Sequence, residues 1–418
     1  MSLYLKVAKS TLYQLIARSL TTFSNFIVIL LIAKSLGSFG LGQYNKVFAF
    51  VGIFSLFVDF GLSAVFLKMG KERHLFLLII LRLIIASIIF ILIQPIIFIL
   101  PYNATFHSGF SFQEKIYIEI VALVLFLYAF AHSLNVIFQK RQRFDLTIWP
   151  NLVWGVTSLI IGIYSFYTKN LFLFLLATVV GLGGYIVTAF ILIKRFLNVE
   201  TTRRVVSTNI LFVKKLFKKS LPLGITLFLN ILYVRVGVLI LSFLRSTTEV
   251  GIYTLAYKFF EFPLNFSTFI MSALYPIFLE TYHKNKNKFS EQVKKSALYI
   301  FVFSFFVFIF SFAAAPLIGL IKQEFYKSIL PFRILVISYP IFFLSNLLLW
   351  VIITKNKEKI LPLVYGCSLI LNVILNLVFI PQYGYNASAV ITVISELLVL
   401  IFFIFFLKNF KKRRQNEQ

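Results

Sequence analysis

Apolar segments long enough to cross a lipid bilayer recur along the whole chain of 418 residues. A spanning helix needs about 20 predominantly apolar residues, and twelve segments of the sequence meet that requirement. Since 60% of the residues are apolar and only 13% are charged, a soluble fold would leave too much apolar surface in water. The segments do not alternate polar and apolar residues as the strands of a membrane barrel do. The sequence therefore predicts an all-α integral membrane protein with twelve transmembrane helices.

The predicted spans cover residues 10–33, 45–67, 75–100, 115–138, 147–168, 171–194, 219–243, 250–279, 295–321, 330–353, 360–380 and 386–407.

The second half of the chain repeats features of the first half at a constant offset of 209 positions. Gly-Gln-Tyr at 42–44 returns as Gly-Ile-Tyr at 251–253, and Leu-Ser-Ala at 62–64 returns as Met-Ser-Ala at 271–273. Six spans per half is an even number, so the two halves share one orientation in the membrane and form parallel repeats. The repeat predicts two parallel six-helix bundles around a central cavity, an arrangement that transporters use for alternating access.

The predicted organisation is an N-terminal bundle at 1–196, a basic cytoplasmic linker at 197–215, a C-terminal bundle at 216–407 and a basic cytoplasmic tail at 408–418.

Basic residues are distributed unevenly between the predicted loops. With a cytoplasmic N-terminus, 29 of the 41 Lys and Arg residues fall on the cytoplasmic side and six fall in outer loops. Cytoplasmic loops of membrane proteins carry an excess of positive charge, so both termini are predicted to be cytoplasmic. The net charge of +27 is then explained by orientation and by attraction to anionic lipids. We expect a multi-pass protein of the plasma or inner membrane and no nucleic-acid partner.

Six basic residues fall inside or at the edges of predicted spans, where an exposed charge costs at least about 2.5–3.5 kcal/mol at mid-bilayer. Three of them, Lys46, Arg82 and Arg333, lie where a long side chain can reach the membrane interface. The other three lie deeper, with apolar sequence on both sides. The full set is Arg18, Lys46, Arg82, Arg235, Lys258 and Arg333.

Three acids that we expect to be buried, Asp59, Glu261 and Glu396, are candidate partners for these cations. Lys258 and Glu261 are three positions apart, so they share a helix face and can pair. A pair at this place and a substrate-binding role for Lys258 are alternatives that the sequence leaves open. Cations that remain unpaired in a cavity favour an anion, because Arg binds phosphate in a bidentate manner and Lys binds it as a point charge.

The sequence lacks the residue clusters that membrane enzymes use. The longest predicted outer loop, 101–114, has His107 and Glu114 as its only titratable candidates, whereas catalysis at a membrane surface needs clustered carboxylates or histidines. The four histidines are isolated and Cys367 is the only cysteine, so no metal site is expected. No Gly-rich phosphate loop is present. We expect a protein that is not an enzyme and has no cofactor.

Several segments resemble those of a known family. The run at 33–44, Ala-Lys-Ser-Leu-Gly-Ser-Phe-Gly-Leu-Gly-Gln-Tyr, is similar to the first-loop signature of polysaccharide-biosynthesis flippases, the Wzx-like oligosaccharide exporters of the MOP superfamily. Asp-Phe-Gly-Leu-Ser at 59–63, followed by Lys68, resembles the end of the family's second helix. The segments 233–235 and 250–258 resemble the family's seventh helix and the element after it. The chain departs from the pattern at one position, where Gly237 stands instead of an acidic residue.

The resemblance implies a function. Members of the family move undecaprenyl-diphosphate-linked sugar units from the cytoplasmic to the outer leaflet through a cavity between two bundles, near helices 1, 2, 7 and 8. Such a role implies binding of the diphosphate by cations on those helices. It also implies charge balance or ion coupling by the buried acids. The expected diphosphate ligands are Arg18, Lys46, Arg235 and Lys258, and the expected acids are Asp59, Glu261 and Glu396.

The same resemblance implies partners and leaves alternatives. Membrane lipids, a glycan polymerase and assembly proteins are the expected partners, and a monomer suffices because two halves already form a pathway. A multidrug or small-metabolite ion-coupled exporter of the same superfamily is the main alternative, and it would rely on intramembrane acids. A lipid-linked peptidoglycan-precursor flippase would usually carry two more helices, and a membrane glycosyltransferase would need the missing catalytic cluster. A scaffold without transport would not explain the buried charges.

Overall fold

The structure, a computed structural model, describes residues 3–194 and 210–416. Helices account for nearly all of the described chain. Most of the predicted linker at 197–215 lies outside the described residues, so that prediction stays untested. Large apolar side chains such as Phe98, Ile99 and Phe310 are more than 70% exposed. Helices with apolar side chains on the outside need lipid around them.

The first part of the chain forms seven α-helices and one short hairpin. Strands β1 and β2 pair antiparallel between α3 and α4, and 3₁₀ turns at Glu72–His74 and Phe144–Thr147 connect helices. The helices are α1 (Leu3–Asp59), α2 (Leu62–Met69), α3 (Leu75–Ile99), α4 (Phe112–Ala122), α5 (Val124–Lys140), α6 (Ile148–Thr168) and α7 (Leu171–Lys194), and the strands are β1 (Tyr102–Asn103) and β2 (Ser108–Gly109).

The second described range, 210–416, forms six α-helices. The 3₁₀ segments Ala315–Leu320 and Gln323–Ser328 lie between the third and the fourth of them, and Glu358–Ile360 precedes the last. The helices are α8 (Ile210–Leu244), α9 (Thr247–Lys284), α10 (Lys286–Ala314), α11 (Ile329–Val336), α12 (Tyr339–Thr354) and α13 (Leu361–Asn416).

Two of these helices are kinked at glycines with backbone angles that other residues rarely adopt. Gly37 in α1 has φ 70° and ψ −165°, and Gly384 in α13 has φ 59° and ψ −143°. L-residues with a side chain are strained in this region, which is occupied almost only by glycine. Each kink therefore separates two straight helical segments within one continuous element.

Within the described residues, nine helices are long and apolar enough to cross a membrane. The count rises to ten if residues 323–354, which bend by 46° between α11 and α12, form one span. The prediction of an all-α chain with many membrane-spanning helices is confirmed at this level.

The chain divides into two compact units. The first contains residues 1–235 and 246–248, and the second contains 236–245 and 249–418. In the first unit, α6 packs along α1 and α7. A core cluster of that unit joins α2, α3, α5 and α8, and its members are Leu62, Phe66, Leu78, Val136 and Leu216.

In the second unit, α12 packs between α10 and α13 and also contacts α9. The Tyr339 hydroxyl donates to the Phe260 carbonyl at 3.1 Å, and the two rings stack with centroids 5.1 Å apart. Stacked aromatic rings at this separation stabilise the contact beyond the burial of their apolar area.

Two tyrosines that the internal repeat relates make the same kind of contact, each within its own unit. The Tyr44 hydroxyl lies 3.4 Å from Thr178 Oγ1 in α7, and the Tyr253 hydroxyl lies 3.4 Å from Thr392 Oγ1 in the last segment of α13. In both cases the helical segment that follows the first predicted outer loop of a sequence half contacts a threonine in the last predicted span of that half. The repeat in sequence thus has a counterpart in packing.

Candidate functional site

Lys46 lies in α1 and is fully buried. Its Nζ donates to Thr247 Oγ1 at 2.7 Å and to the Gly109 carbonyl at 2.5 Å, and it lies 3.2 Å from Glu114 Oε1. Because a buried charge is costly unless it is paired and hydrogen-bonded, these contacts explain how Lys46 is accommodated. The interpretation that Lys46 reaches the membrane interface is wrong.

Glu114 is the partner that the sequence did not indicate. Its Oε2 accepts a hydrogen bond from the Ser111 backbone N–H at 2.7 Å, and Ser111 Oγ accepts from the Glu114 N–H at 3.3 Å. This reciprocal arrangement is a capping box, which satisfies two free N–H groups at the start of α4. Glu114 therefore both caps its own helix and neutralises Lys46.

Arg82 in α3 is also fully buried, and its partner is Asp59 at the end of α1. The Arg82 guanidinium donates to Asp59 Oδ1, to Ser63 Oγ at 2.8 Å and to Ser133 Oγ at 2.8 Å. Asp59 further accepts from the Ser63 hydroxyl at 2.5 Å. The interfacial interpretation of Arg82 is therefore wrong as well, and Asp59 carries the charge that balances it.

Lys258 and Glu261 pair, as their spacing in the sequence allows. Lys258 Nζ lies 2.6 Å from Glu261 Oε2, and both side chains are partly exposed. The third predicted acid, Glu396, is buried at 4% exposure and accepts a hydrogen bond from the Ser345 hydroxyl. All three predicted acids thus have a partner within the described chain.

Arg18 and Arg235 differ from the cations above. In the part of the chain that the structure describes, neither guanidinium forms an ion pair. Arg18 is exposed on α1 and lines a pocket of about 220 Å³, and Tyr128 lines the same pocket. The charge of Arg235 on α8 acts on the Tyr128 phenol. The structure therefore brings these two predicted site residues to the neighbourhood of one tyrosine within the first unit.

Arg333, the remaining intramembrane cation, is half-buried in the second unit. Its guanidinium carbon lies 4.9 Å from the centroid of the Phe312 ring. A cation at this distance from an aromatic face is stabilised by the ring quadrupole, so Arg333 has a local contact that Arg18 and Arg235 do not show.

The pocket around Arg18 lies between α1, α5, α6 and α7, all in the first unit. Its lining combines amide side chains with aromatic rings, and it contains no Asp, Glu or Lys. Sequence reasoning missed these uncharged residues. The lining residues of interest are Gln14, Tyr128, Asn135, Gln139, Trp154 and Tyr185.

Two further features concern the absence of a metal site and of an acid at position 237, both noted in the sequence. Among the described residues, no group of three or more His, Cys, Asp or Glu side chains is arranged to hold a metal ion. At the position where the resemblance leads one to expect an acid, the Gly237 backbone lies against buried polar side chains: a Cβ there would be 3.0 Å from Ser388 Oγ and 3.6 Å from Asn376 Oδ1.

Comparison with known families identifies the class of the protein. The sequence profile described as "Polysaccharide biosynthesis protein" matches residues 7–282. The chain belongs to the polysaccharide biosynthesis protein family. The match covers the first unit and continues through the Lys258–Glu261 pair. No curated protein matches the sequence.

Solved structures show which fold this member of the family has. An inward-closed structure of the lipid II flippase MurJ is 17% identical, with a TM-score of 0.75 over 94% of this chain and 87% of that one. An inward-facing MATE multidrug resistance transporter of the MOP superfamily is 14% identical, with a TM-score of 0.80 over 98% and 100% of the two chains. An outward-facing MATE structure gives a TM-score of 0.66 at 14% identity, over 99% of this chain and 97% of that one. The protein therefore has the MOP-superfamily fold.

Proposed function

We propose that the protein is a flippase that moves a polyprenyl-diphosphate-linked oligosaccharide from the cytoplasmic to the outer leaflet by alternating access. The exported unit would serve assembly of a cell-surface polysaccharide, such as O-antigen, capsule or exopolysaccharide. Membership of the polysaccharide biosynthesis family supports this proposal. The likeness to a lipid II flippase supports a fold that suits a lipid-linked substrate.

The observation that carries the proposal is the contrast between the two arginines and the two lysines of the predicted site. Lys46 and Lys258 each have a glutamate partner, so their charges are already used within the protein. Arg18 and Arg235 have no such partner among the described residues. Two guanidinium groups without a counter-charge suit a diphosphate, which accepts bidentate hydrogen bonds. We assign the diphosphate to Arg18 and Arg235, with Lys46 and Lys258 as structural cations.

Twelve spans form part of the proposal. The nine long apolar helices include two elements that Gly37 and Gly384 divide. Counting each as two spans, and the bent pair at 323–354 as one, gives the twelve spans that the sequence predicts. Six in each half would form the two parallel bundles of the predicted organisation, 1–196 and 216–407.

Contacts between predicted loops support a cytoplasmic location for both termini. Glu72 and Arg141, from two loops that are both predicted to be cytoplasmic, join through hydrogen bonds of 2.7 and 2.5 Å. Hydrogen bonding to this carboxylate raises the pKa of the Arg141 guanidinium. Arg245 and the Pro381 carbonyl, from two loops that are both predicted to be outside, lie 3.2 Å apart. Each contact joins two loops that the predicted topology places on the same side of the membrane. Because basic residues are in excess on the side that contains Arg141, we assign that side to the cytoplasm.

The alternative function is an ion-coupled exporter of drugs or small metabolites, which has support from the likeness to MATE structures. Cationic drugs would need an unpaired intramembrane acid. In the described chain, Asp59 and Glu261 are paired with cations and Glu396 accepts a hydrogen bond from Ser345, whereas Arg18 and Arg235 form no ion pair. This balance of charges favours the anionic lipid-linked substrate. We further propose that the protein catalyses no reaction, needs no cofactor and works as a monomer. A glycan polymerase would be its downstream partner.

Transport by the purified wild-type protein in proteoliposomes separates the two functions. Vesicles would be offered a fluorescent undecaprenyl-diphosphate oligosaccharide or a fluorescent cationic drug, each with and without an imposed proton or sodium gradient. We expect movement of the lipid-linked oligosaccharide to the opposite leaflet and no uptake of the drug. Gradient-driven drug uptake without glycolipid movement would instead support the exporter.

A further inference from the structure

The pocket beside Arg18 contains amide groups with no hydrogen-bond partner among the described residues. The side chains of Gln14, Asn135 and Gln139 line it, and none of them forms a hydrogen bond with another described residue. Each amide offers one acceptor and two donors. Two other polar residues of the lining, Thr147 and Asn151, already donate to backbone carbonyls at 2.7 Å. The three free amides are therefore available to a ligand, beside the other polar residues of the lining, which are Arg18, Tyr128, His132 and Tyr185.

A fourth donor is buried at the same place. Among the described residues, Trp154 Nε1 has no hydrogen-bond partner and is inaccessible to solvent, although Trp154 lines the pocket. Buried polar atoms without a partner are rare, so a donor of this kind beside a pocket is a candidate to meet a ligand. The Trp154 ring meets Tyr185 edge-on with centroids 6.1 Å apart. The pocket thus has an aromatic wall next to its free amides.

The charge of the lining excludes several ligand classes. No carboxylate lines the pocket, so it does not suit a cation, and Arg18 is its only permanently charged group. If Arg18 holds a phosphate, as proposed above, no second permanent cation remains for a carboxylate-bearing sugar. The lining of free amides and aromatic rings then suits a neutral molecule that has many hydroxyl groups and an apolar ring face.

The size and position of the pocket narrow the ligand further. Its volume of about 220 Å³ is below the roughly 300–1,000 Å³ of sites for drug-sized ligands, so one sugar ring is the appropriate size. The lining comes from the start of α1, from α5, from the 3₁₀ turn before α6 and the start of α6, and from the second half of α7. In the proposed topology, the pocket extends from the middle of the membrane to the cytoplasmic ends of these helices, and the lipid-linked substrate is made on that side.

We infer that this pocket binds the first sugar of the substrate, the one attached directly to the diphosphate, and that this sugar is a neutral hexose or N-acetylhexosamine. The inference rests on the proposed function. Gln14, Asn135, Gln139 and Trp154 bind the sugar, while Arg18 at the same pocket binds the phosphate next to it. The remainder of the oligosaccharide lies outside the pocket and is not read there.

Binding measurements on the full-length protein in nanodiscs test the inference. The probes are a short-chain polyprenyl diphosphate without sugar and the same lipid carrying one glucose, galactose, N-acetylglucosamine or N-acetylgalactosamine. Calorimetry gives the Kd of each probe. We expect at least one sugar to tighten binding by about tenfold or more, because several hydrogen bonds to the amides are added together.

Substitutions in the pocket test whether the tighter binding of the sugar-bearing lipid comes from these residues. Asn135→Ala/Gln139→Ala should abolish the difference between the sugar-bearing and the sugar-free lipid and leave the Kd of the sugar-free lipid unchanged. Trp154→Phe keeps the aromatic ring, removes the donor and should lose part of the gain even if the double variant folds poorly. Arg18→Gln should weaken both lipids. Gln113→Ala, which changes an exposed amide of the same unit, is the matched control and should change neither.

The outcomes separate the inference from the proposed function. Equal binding of sugar-free and all sugar-bearing lipids by the wild type would overturn the sugar site, as would a gain that survives both Asn135→Ala/Gln139→Ala and Trp154→Phe. Equal weakening of both lipids by the amide substitutions would also overturn it. In each of these cases the diphosphate lipid still binds, so the proposed function stands. If the wild type bound none of the lipids, the proposed function itself would fail.

Discussion

Lys46 and Glu114 form an ion pair inside the first unit, with Nζ 3.2 Å from Oε1 and both side chains at most 2% exposed. The pair connects α1 to the start of α4. Through Thr247 it also connects α1 to the first residue of α9, and Thr247 donates in turn to the His107 carbonyl at 2.9 Å. A cation with this set of contacts stabilises the protein and is not free to follow a moving substrate.

Lys46→Met should therefore destabilise the protein strongly. Removing one partner of a buried pair leaves an uncompensated charge and typically costs about 3–5 kcal/mol. We expect Lys46→Met/Glu114→Gln to recover most of that loss, because the double variant leaves no unpaired charge. Chemical unfolding in detergent measures the free energies of unfolding for this cycle of variants. A double variant as unstable as Lys46→Met alone would refute the pairing as the cause.

The Asp59–Arg82 pair provides a test of the role of the acid. If Asp59 balances charge, Asp59→Asn should impair folding and transport, and Arg82→Gln added to it should restore much of both. The physical reason is again a buried guanidinium that would lose its counter-charge. Transport that stays absent in a stably folded Asp59→Asn/Arg82→Gln protein would show instead that the acid itself takes part in coupling.

Gly384 should not tolerate a side chain. At φ 59° and ψ −143°, alanine would be strained by about 1–3 kcal/mol, and its Cβ would also lie 2.9 Å from Glu249 Oε2. We expect Gly384→Ala to lower the thermal stability in detergent. Gly183→Ala is the matched control, because Gly183 lies within the helix α7 and has no atom within 4 Å of the Cβ position. Equal effects of the two substitutions would contradict the assigned kink.

Cysteine labelling tests the twelve spans and the orientation. Cys367 is the only cysteine, so Cys367→Ser gives a background for single cysteines at exposed positions 104, 287 and 382. A membrane-impermeant maleimide applied to intact cells should label Ala104→Cys and Gln382→Cys. Asn287→Cys should react only after the cells are opened. Failure to label position 382 from outside would mean that α13 does not form two spans at Gly384.

Sequence reasoning predicted the parts of this protein that depend on local pattern. Apolar segments of bilayer length gave the helices, and a spacing of three residues gave the Lys258–Glu261 pair. Sequence reasoning could not predict the ion pair between Lys46 and Glu114, which are 68 residues apart. Nor could it show that Arg82 is buried against Asp59, 23 residues away. Those contacts depend on how helices pack, which the sequence pattern of one helix does not specify.

The sugar pocket was missed for a different reason. Its amides are uncharged, so a search for intramembrane charges passes over them. A usable signal does exist, since Gln14 and Arg18, and likewise Asn135 and Gln139, are four positions apart and share a helix face. Pairs of polar residues at this spacing, at the cytoplasmic ends of apolar helices, would have indicated a wet surface inside the bundle.

We propose that Arg18 and Arg235, and not the two paired lysines, bind the diphosphate. Translocation of a fluorescent undecaprenyl-diphosphate oligosaccharide in proteoliposomes tests this assignment, with Arg18→Gln/Arg235→Gln compared with Lys258→Gln/Glu261→Gln. Charge-assisted hydrogen bonds contribute about 1.5–3 kcal/mol each, so the double arginine variant should lose roughly 100-fold or more in rate. The lysine–glutamate variant should retain most of it. Wild-type rates in a folded Arg18→Gln/Arg235→Gln protein would contradict the account.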